Sequence, residues 1–515
     1  MKIDRRQFLL ASSAGPLIRP VPQEEVIVVD PRPAFPLSPF LYMQFLEPLG
    51  ATDGSVEAAW DHWNQRWRRD FLEAVGRLRP TMIRWGGIFV DFYRWQEAVG
   101  PREQRKPVLN LQWGGIESNQ VGTAEFVELA RTVAAEPLIC VNFESDGRAR
   151  FRTALGGSRT AGSEEAAAWV AYCNQADNPL RHSHGLREPL RVSYWQIGNE
   201  TSYVADGFDA HTAARKTLEF ARAMRQVDPH IQLIGWADED FAARRAGRAA
   251  INWAQVMLDV AGEQLNFLAF HHMYNPDDPQ RPALAHGEFR KDQDRAWAVL
   301  MEAWRPHEAK IQRIRESLGS ARFPLALTEC HYSIPGKNRG DVLSTWAAGV
   351  SYARLLHVHE RHGDLLKIAT AADFCGTRWQ VVAVMIPTPG GRSYLMPVGQ
   401  VMRLYREHTG EQAAVVLRAS SDLDVTASVS PGKVYLHVAN TRKDRAVKAR
   451  IEIQNHRISG GTVYEISAPP FLEIDEVNAS VLEPVTKTFQ RDGLWTFPPA
   501  SVTAIELLTH PAGAS

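Results

Sequence analysis

The sequence predicts an α/β protein in which a (β/α)8 barrel is followed by an antiparallel β-sandwich. Three observations carry that reading. Eight apolar, β-prone runs alternate with helical patterns between about residue 41 and residue 385. These runs are near-continuously apolar, as parallel strands buried on both faces must be. Beyond about residue 410 the pattern changes to short β-prone runs separated by turn residues.

In chain order the eight runs are Phe40–Phe45, Met82–Trp85, Pro137–Phe143, Val192–Gly198, Ile231–Ala237, Leu265–His271, Phe323–Thr328 and Leu366–Phe374. Between them, apolar residues recur at helical spacing in Ala124–Ala134, Glu164–Cys173, Thr212–Val227 and Trp297–Leu318. The later runs include Leu423–Val429, Val434–Asn440, Ala446–Ile453 and Val502–Leu507. Residues 21–40 hold one more strand, Glu25–Asp30, expected to pair with the C-terminal sheet. The expected layout is therefore 41–400 for the barrel and 410–515 for the sandwich.

Residues 1–20 are read apart from the fold. Asp4-Arg5-Arg6-Gln7-Phe8-Leu9-Leu10, with a short apolar stretch through Ile18, looks like a twin-arginine export motif. It implies a periplasmic or extracellular protein; the bland alternative is a basic, unstructured N-terminus. No other apolar run approaches the roughly 18 to 20 residues needed to span a bilayer.

Composition narrows the function. Among 515 residues the formal net charge is -1, so there is no basic excess to attract a phosphate backbone, and nucleic acid is not the expected partner. Neutral sugars remain open, and 15 Trp residues could supply stacking platforms or core filler. The four cysteines, Cys140, Cys173, Cys330 and Cys375, are too few for a disulfide framework. No Cys/His cluster has zinc-ligand spacing, so no metal is expected.

Barrel active sites lie where strands end at the C-terminal face. There the runs deliver Glu47, Arg84, Asn199-Glu200, His271 with Tyr274 beyond it, Glu329 and Asp373. Glu200 ends the fourth run and Glu329 the seventh, across a closed barrel from each other. Two such carboxylates suit glycoside hydrolysis: one protonates the leaving oxygen while the other attacks the anomeric carbon or activates water. The bland reading of each is a solvated loop carboxylate. Arg84 can fix a carboxylate in its ionised state or form a purely structural pair. His271 can orient the nucleophile or be a satisfied core histidine. Tyr274 can donate to Glu329, and Asn199 can read a sugar hydroxyl. Trp85, Trp113, Trp195 and Trp379 are candidate platforms.

At these residues the chain resembles glycoside hydrolase family 51, the α-L-arabinofuranosidases. Leu37-Ser38-Pro39 through Phe45-Leu46-Glu47-Pro48-Leu49-Gly50 is similar to the family's opening strand, whose Glu contacts substrate. Arg84-Trp85-Gly86-Gly87, Gly100-Pro101-Arg102-Glu103, Trp113 through Gln120, Gly122-Thr123 and Trp195 through Glu200 resemble further family segments. The likeness runs over roughly residues 35–410. It implies a retaining mechanism with Glu200 as acid/base and Glu329 as nucleophile, substrate contacts from Glu47, Arg84, Trp113, Asn199, His271, Tyr274 and Asp373, and no cofactor. It implies a carbohydrate substrate; hexamers and other homo-oligomers occur among its members. Three departures stand out: Ile88 replaces an Asn after the two glycines, Asp373 stands where the family has Gln, and Glu329-Cys330-His331-Tyr332 replaces the usual Glu-aromatic-Asn. They leave a β-glycosidase, β-xylosidase or endoglucanase open as alternatives. A carbohydrate-binding protein without catalysis is the alternative of another class.

Overall fold

The computed structural model describes residues 25–512, except 154–155, 337 and 388–389. The twin-arginine segment lies outside the described residues. After β1 (Glu25–Pro36), eight strands form one parallel sheet: β2 (Gln44–Leu46), β3 (Met82–Trp85), β4 (Glu136–Val141), β5 (Tyr194–Ile197), β6 (Gln232–Trp236), β7 (Phe267–Tyr274), β8 (Leu325–Tyr332) and β9 (Leu366–Ala369). Each pairs with its chain neighbour, in the order β9-β8-β7-β6-β5-β4-β3-β2. The Met43 amide, just before β2, donates to the Ala369 carbonyl of β9 at 2.9 Å and brings the first and last strands together. Each of the eight apolar runs thus overlaps one barrel strand. The strands are buried almost throughout, which is why they read as runs without polar alternation.

Two strands are longer than their runs. β7 continues to Tyr274 and β8 to Tyr332, and they stay paired to their ends. The eighth run is shorter than expected. β9 stops at Ala369, and Asp373 starts a separate strand, β10 (Asp373–Gly376), which joins β11 (Val382–Met385) and β12 (Tyr394–Leu395) in a small sheet. The helical stretch Trp297–Leu318 is two helices, Gln293–Glu302 and Trp304–Ser317. Pro306 explains the restart, since a residue without an N–H fits the first turn of a helix but not its interior.

The C-terminal strands are β13 (Gln412–Arg418), β14 (Leu423–Ser430), β15 (Lys433–Asn440), β16 (Val447–Ile453), β17 (His456–Ser467), β18 (Val485–Phe489), β19 (Leu494–Phe497) and β20 (Ser501–Pro511). With β1 they form one continuous nine-stranded sheet, in the order β18-β17-β20-β15-β14-β13-β1-β16-β19. Its ends fold over a single apolar core that includes Ile27, Leu436, Ile451, Val463, Phe489 and Ile505. All pairs are antiparallel except β1 with β16. The helix Trp346–Arg361 joins barrel to sheet. The Trp346 indole donates to the Ala500 carbonyl at 2.6 Å, and Arg354 meets Asp424 at 2.8 Å. Among the described residues, no helix is long and apolar enough to cross a membrane.

Candidate active site

Arg84 organises the mouth of the barrel. It projects from β3, has no solvent exposure, and spends each of its three nitrogens on a different partner. Nε donates to Gln196 Oε1 at 2.9 Å, Nη1 to Glu329 Oε1 at 2.8 Å, and Nη2 to Asn199 Oδ1 at 2.6 Å. One planar group thereby ties β3, β5, the turn after β5 and β8 together. Burial works against its charge, but Glu329 together with the nearby Cys140 and Glu47 outweighs that and raises its pKa. The glycines after it are obligatory. A Cβ on Gly86 would stand 2.5 Å from the Arg84 guanidinium carbon, and one on Gly87 (φ 123°) 2.2 Å from the Glu47 carboxyl carbon.

Glu329 and His271 face each other across a β-bulge. Phe270 pairs with Leu327, but His271 pairs with Glu329, so Thr328 is the extra residue. His271 Nε2 lies 3.0 Å from the Thr328 hydroxyl, while Nδ1 lies 3.2 Å from Glu200 Oε1 and 3.6 Å from Glu329 Oε2. Burial, partly opposed by Glu329, lowers the His271 pKa to about 4. The ring is therefore neutral, and its Nδ1–H can bridge the two carboxylates if Nε2 accepts from Thr328. The contacting atoms of Glu200, His271 and Glu329 all lie within 4.8 Å of one another. They are also the one group among the described residues with metal-ligand geometry, although Arg84 already occupies one Glu329 oxygen.

Glu200 sits in the left-handed region (φ 57°), after Gly198 at φ 84°. A buried cluster grips that turn. Asp146 accepts from the Asn199 amide at 3.2 Å and from the Thr201 hydroxyl, and Arg148 Nη2 donates to the Glu200 carbonyl at 3.3 Å. Arg148 also pairs with Asp91 at 2.9 Å, both fully buried. Burial, then repulsion from Asp146, pushes the Asp91 carboxyl well above the usual range. Glu200 itself is pushed up to about 7, chiefly by burial, against the pull of Arg148 and Arg84. The two carboxylates are thus set apart: one protonated near neutrality, the other held by a guanidinium.

Glu47 accepts from Trp113 Nε1 at 2.9 Å and from the Phe89 amide at 3.2 Å. Burial and the nearby Glu329 raise its pKa well above the ordinary value. Asn199 keeps a buried Nδ2 with no partner among the described residues, a donor free for a ligand hydroxyl. Arg84, Asn199, Glu200, His271 and Glu329 are thus linked by these contacts, and Glu47, paired with Trp113, stands near enough to feel the charge of Glu329. Tyr274 is not part of this group. Side chains alternate along β7, so Tyr274 turns outward with His272, their rings stacked 4.1 Å apart, and its hydroxyl donates to the Ala303 carbonyl at 2.7 Å. Asp373, on its separate strand, meets His331 Nδ1 at 2.6 Å rather than the carboxylate pair. Trp85 and Trp195 are core residues at 2% and 0% exposure, which rules them out as platforms. The sequence reading omitted Gln196, Asp91, Asp146 and Arg148. Gln196 adjoins the Glu200 turn and could have been found; the other three carry no motif.

The comparisons point the same way. Residues 74–292 match the model of the alpha-L-arabinofuranosidase 1 domain. A probable alpha-L-arabinofuranosidase C of Aspergillus flavus is 35% identical over 174 residues, 32% of each chain. An intracellular exo-alpha-(1->5)-L-arabinofuranosidase of Halalkalibacterium halodurans is 31% identical over 249 residues, 46% of each. The thermostable family 51 alpha-L-arabinofuranosidase of Thermotoga petrophila superposes with a TM-score of 0.71 at 25% identity, over 94% of this chain and 99% of that one. The chain is thus similar to the family 51 α-L-arabinofuranosidases in sequence over part of its length and in fold over nearly all of it. Its match spans less than half the length of these curated relatives. The family 51-like frame accounts for the eight-stranded parallel barrel and for the separate C-terminal sheet.

The raised Glu200 pKa makes a stability prediction. An unfolded glutamic acid ionises near 4.5, but the folded one near 7, so the folded state loses stability as pH rises between those values. Glu200→Gln removes that loss. Its stability advantage over the wild type should grow across about pH 4.5 to 7 and then level off, by about 3 kcal/mol at most. Denaturant melts at pH 4.5, 6 and 8 measure it; an advantage independent of pH would remove the shift.

Proposed function

We propose that the protein is a retaining, exo-acting glycoside hydrolase whose leading activity is that of an α-L-arabinofuranosidase. The carrying observation is the differentiated carboxylate pair: Glu200, pushed up to about 7, and Glu329, ion-paired to Arg84, with contacting oxygens within 4.8 Å. Such a close approach of one oxygen from each carboxylate suits the narrow pair of a retaining enzyme. The names of the relatives support the sugar.

In the first step a Glu329 oxygen attacks the anomeric carbon as Glu200 gives its proton to the departing glycosidic oxygen. In the second, Glu200, now ionised, takes a proton from water, whose oxygen attacks the same carbon and releases Glu329. Arg84 donates to one Glu329 oxygen and holds the carboxylate in place, and neutral His271 can donate to either carboxylate without adding charge. Asn199 Nδ2 is free to bind the sugar hydroxyl beside the anomeric carbon, a contact that can strengthen in the transition state.

On a panel of nitrophenyl glycosides the arabinofuranoside should be turned over fastest; a faster xyloside or glucoside would overturn the sugar, and no turnover of any would favour a binding protein. Glu329→Ala should abolish turnover, with partial rescue by azide. Near-wild-type activity in that variant removes Glu329 from its role. The alkaline limb of kcat/KM should fall near pH 7, as Glu200 loses its proton, and should vanish in Glu200→Gln assayed on a dinitrophenyl glycoside, whose leaving group needs no acid. A limb that persists would belong to another group.

We also propose export, supported by Asp4-Arg5-Arg6-Gln7-Phe8-Leu9-Leu10. Replacing Arg5 and Arg6 together with Lys should trap the protein in the cytoplasm of a host with twin-arginine transport. Unimpaired export would refute this.

A further inference from the structure

The rim above Glu329 carries a cation that no carboxylate among the described residues neutralises. Along β8, Glu329 and His331 face the mouth, while Cys330 and Tyr332 turn outward, the Tyr332 hydroxyl meeting Ser351 at 2.8 Å. His331 Nδ1 lies 2.6 Å from Asp373 Oδ1, and Arg339 Nη2 lies 3.3 Å from His331 Nε2. One protonation scheme satisfies both contacts. His331 donates from Nδ1 to Asp373 and accepts at Nε2 from Arg339.

Arg339 is also fixed from below. Its guanidinium carbon stands 4.0 Å over the ring of Trp379. Trp379 is buried, its amide donates to Asp53 at 3.2 Å, and its ring meets the edge of Trp113 with centroids 5.7 Å apart. Trp113 in turn donates to Glu47. An unbroken wall therefore runs from Glu47, beside the catalytic pair, through two indoles to Arg339. The backbone holds this position at a cost, for Asn338, Arg339 and Gly340 all have positive φ (55°, 47° and 86°).

A guanidinium has five N–H donors, and the described residues use one of these. Arg339 is half-buried, and no Asp or Glu among the described residues forms an ion pair with it. Arg290, on the same side of the barrel, shows the contrast: it pairs with both Asp341 and Glu473. Asp373 is engaged by His331. A flat, immobilised guanidinium with a free edge is shaped for a planar carboxylate.

We propose that Arg339, stacked on Trp379 and held by His331, forms a subsite for a carboxylate on the leaving part of the substrate, so that the favoured substrate is an acidic oligosaccharide carrying a uronic acid unit. The choice of oligosaccharide rests on the proposed hydrolase function; the anion subsite itself rests on the rim. His331 is part of the tetrad that departs from the family pattern, so this rim belongs to this chain's own sequence.

The test pairs an arabinosyl oligosaccharide that bears glucuronic acid with the same compound after reduction of the carboxyl to an alcohol. The full-length wild type should favour the acidic member in kcat/KM by roughly tenfold to a hundredfold, the range of a charge-assisted hydrogen bond. Arg339→Gln should bring the ratio close to one, and Arg339→Lys should retain part of it. Equal handling by the wild type, or a preference that survives Arg339→Gln, overturns the subsite. Calorimetric binding of the same two compounds to the same three proteins gives a second ratio that needs no turnover. If nitrophenyl glycosides are not cleaved, the hydrolase reading fails. The binding ratio then still decides the subsite, since it should collapse in Arg339→Gln and stays unchanged if the inference is wrong.

Discussion

The Arg84 guanidinium is the constraint on which the rest of the mouth depends. It is fully buried, and a charge so placed is tolerated only when each of its nitrogens finds a partner. Gln196, Asn199 and Glu329 engage them from three directions. Each partner is then restricted in turn. Glu329 must hold one oxygen toward β3, Asn199 must present its carbonyl inward and leave its amide outward, and the chain after Arg84 must be glycine twice to clear the guanidinium and Glu47. Removing the arginine would leave a buried carboxylate unpaired, which typically costs several kcal/mol. The pair is thus a poor source of stability and a strong source of geometry.

Burial alone would push every carboxylate in the mouth toward its neutral form. The division of labour comes from where the cations stand. Arg84 contacts Glu329 directly, whereas Arg148 reaches only the backbone carbonyl of Glu200 and spends its ion pair on Asp91. Glu200 therefore keeps most of its desolvation penalty, and Glu47 also rises because Glu329 repels it. His271, held neutral by burial, touches both members of the pair without biasing either by charge.

The barrel was legible in the sequence because parallel strands covered on both sides must be apolar along their whole length, and length then separates them from helices. Glu200 and Glu329 were legible because each breaks such a run at its end. Tyr274 was misjudged for a related reason. Proximity in sequence placed it beside His271, but β7 continues, and two-residue alternation turns it away. Asp373 lay beyond the true end of β9, where an apolar stretch continues into a different small sheet. The Asp91–Asp146–Arg148 cluster left no trace, since Asp91 lies far along the chain from the other two and none follows a pattern. The continuous C-terminal sheet was hidden as well, because strand order is set by long-range pairing that local propensity does not encode.

The extension of β7 and β8 beyond their runs has a structural consequence at the rim. A longer β8 keeps His331 in strict alternation with Glu329, so a residue that a loop would leave adjustable is instead fixed relative to the nucleophile. Asp373 fixes it from the opposite side, and this requires β10 to be its own strand rather than a continuation of β9. The two corrections to the expected strand ends are therefore one feature. Together they convert the residues after Glu329 from a flexible border into a rigid edge, on which an arginine can be oriented with little entropy left to lose.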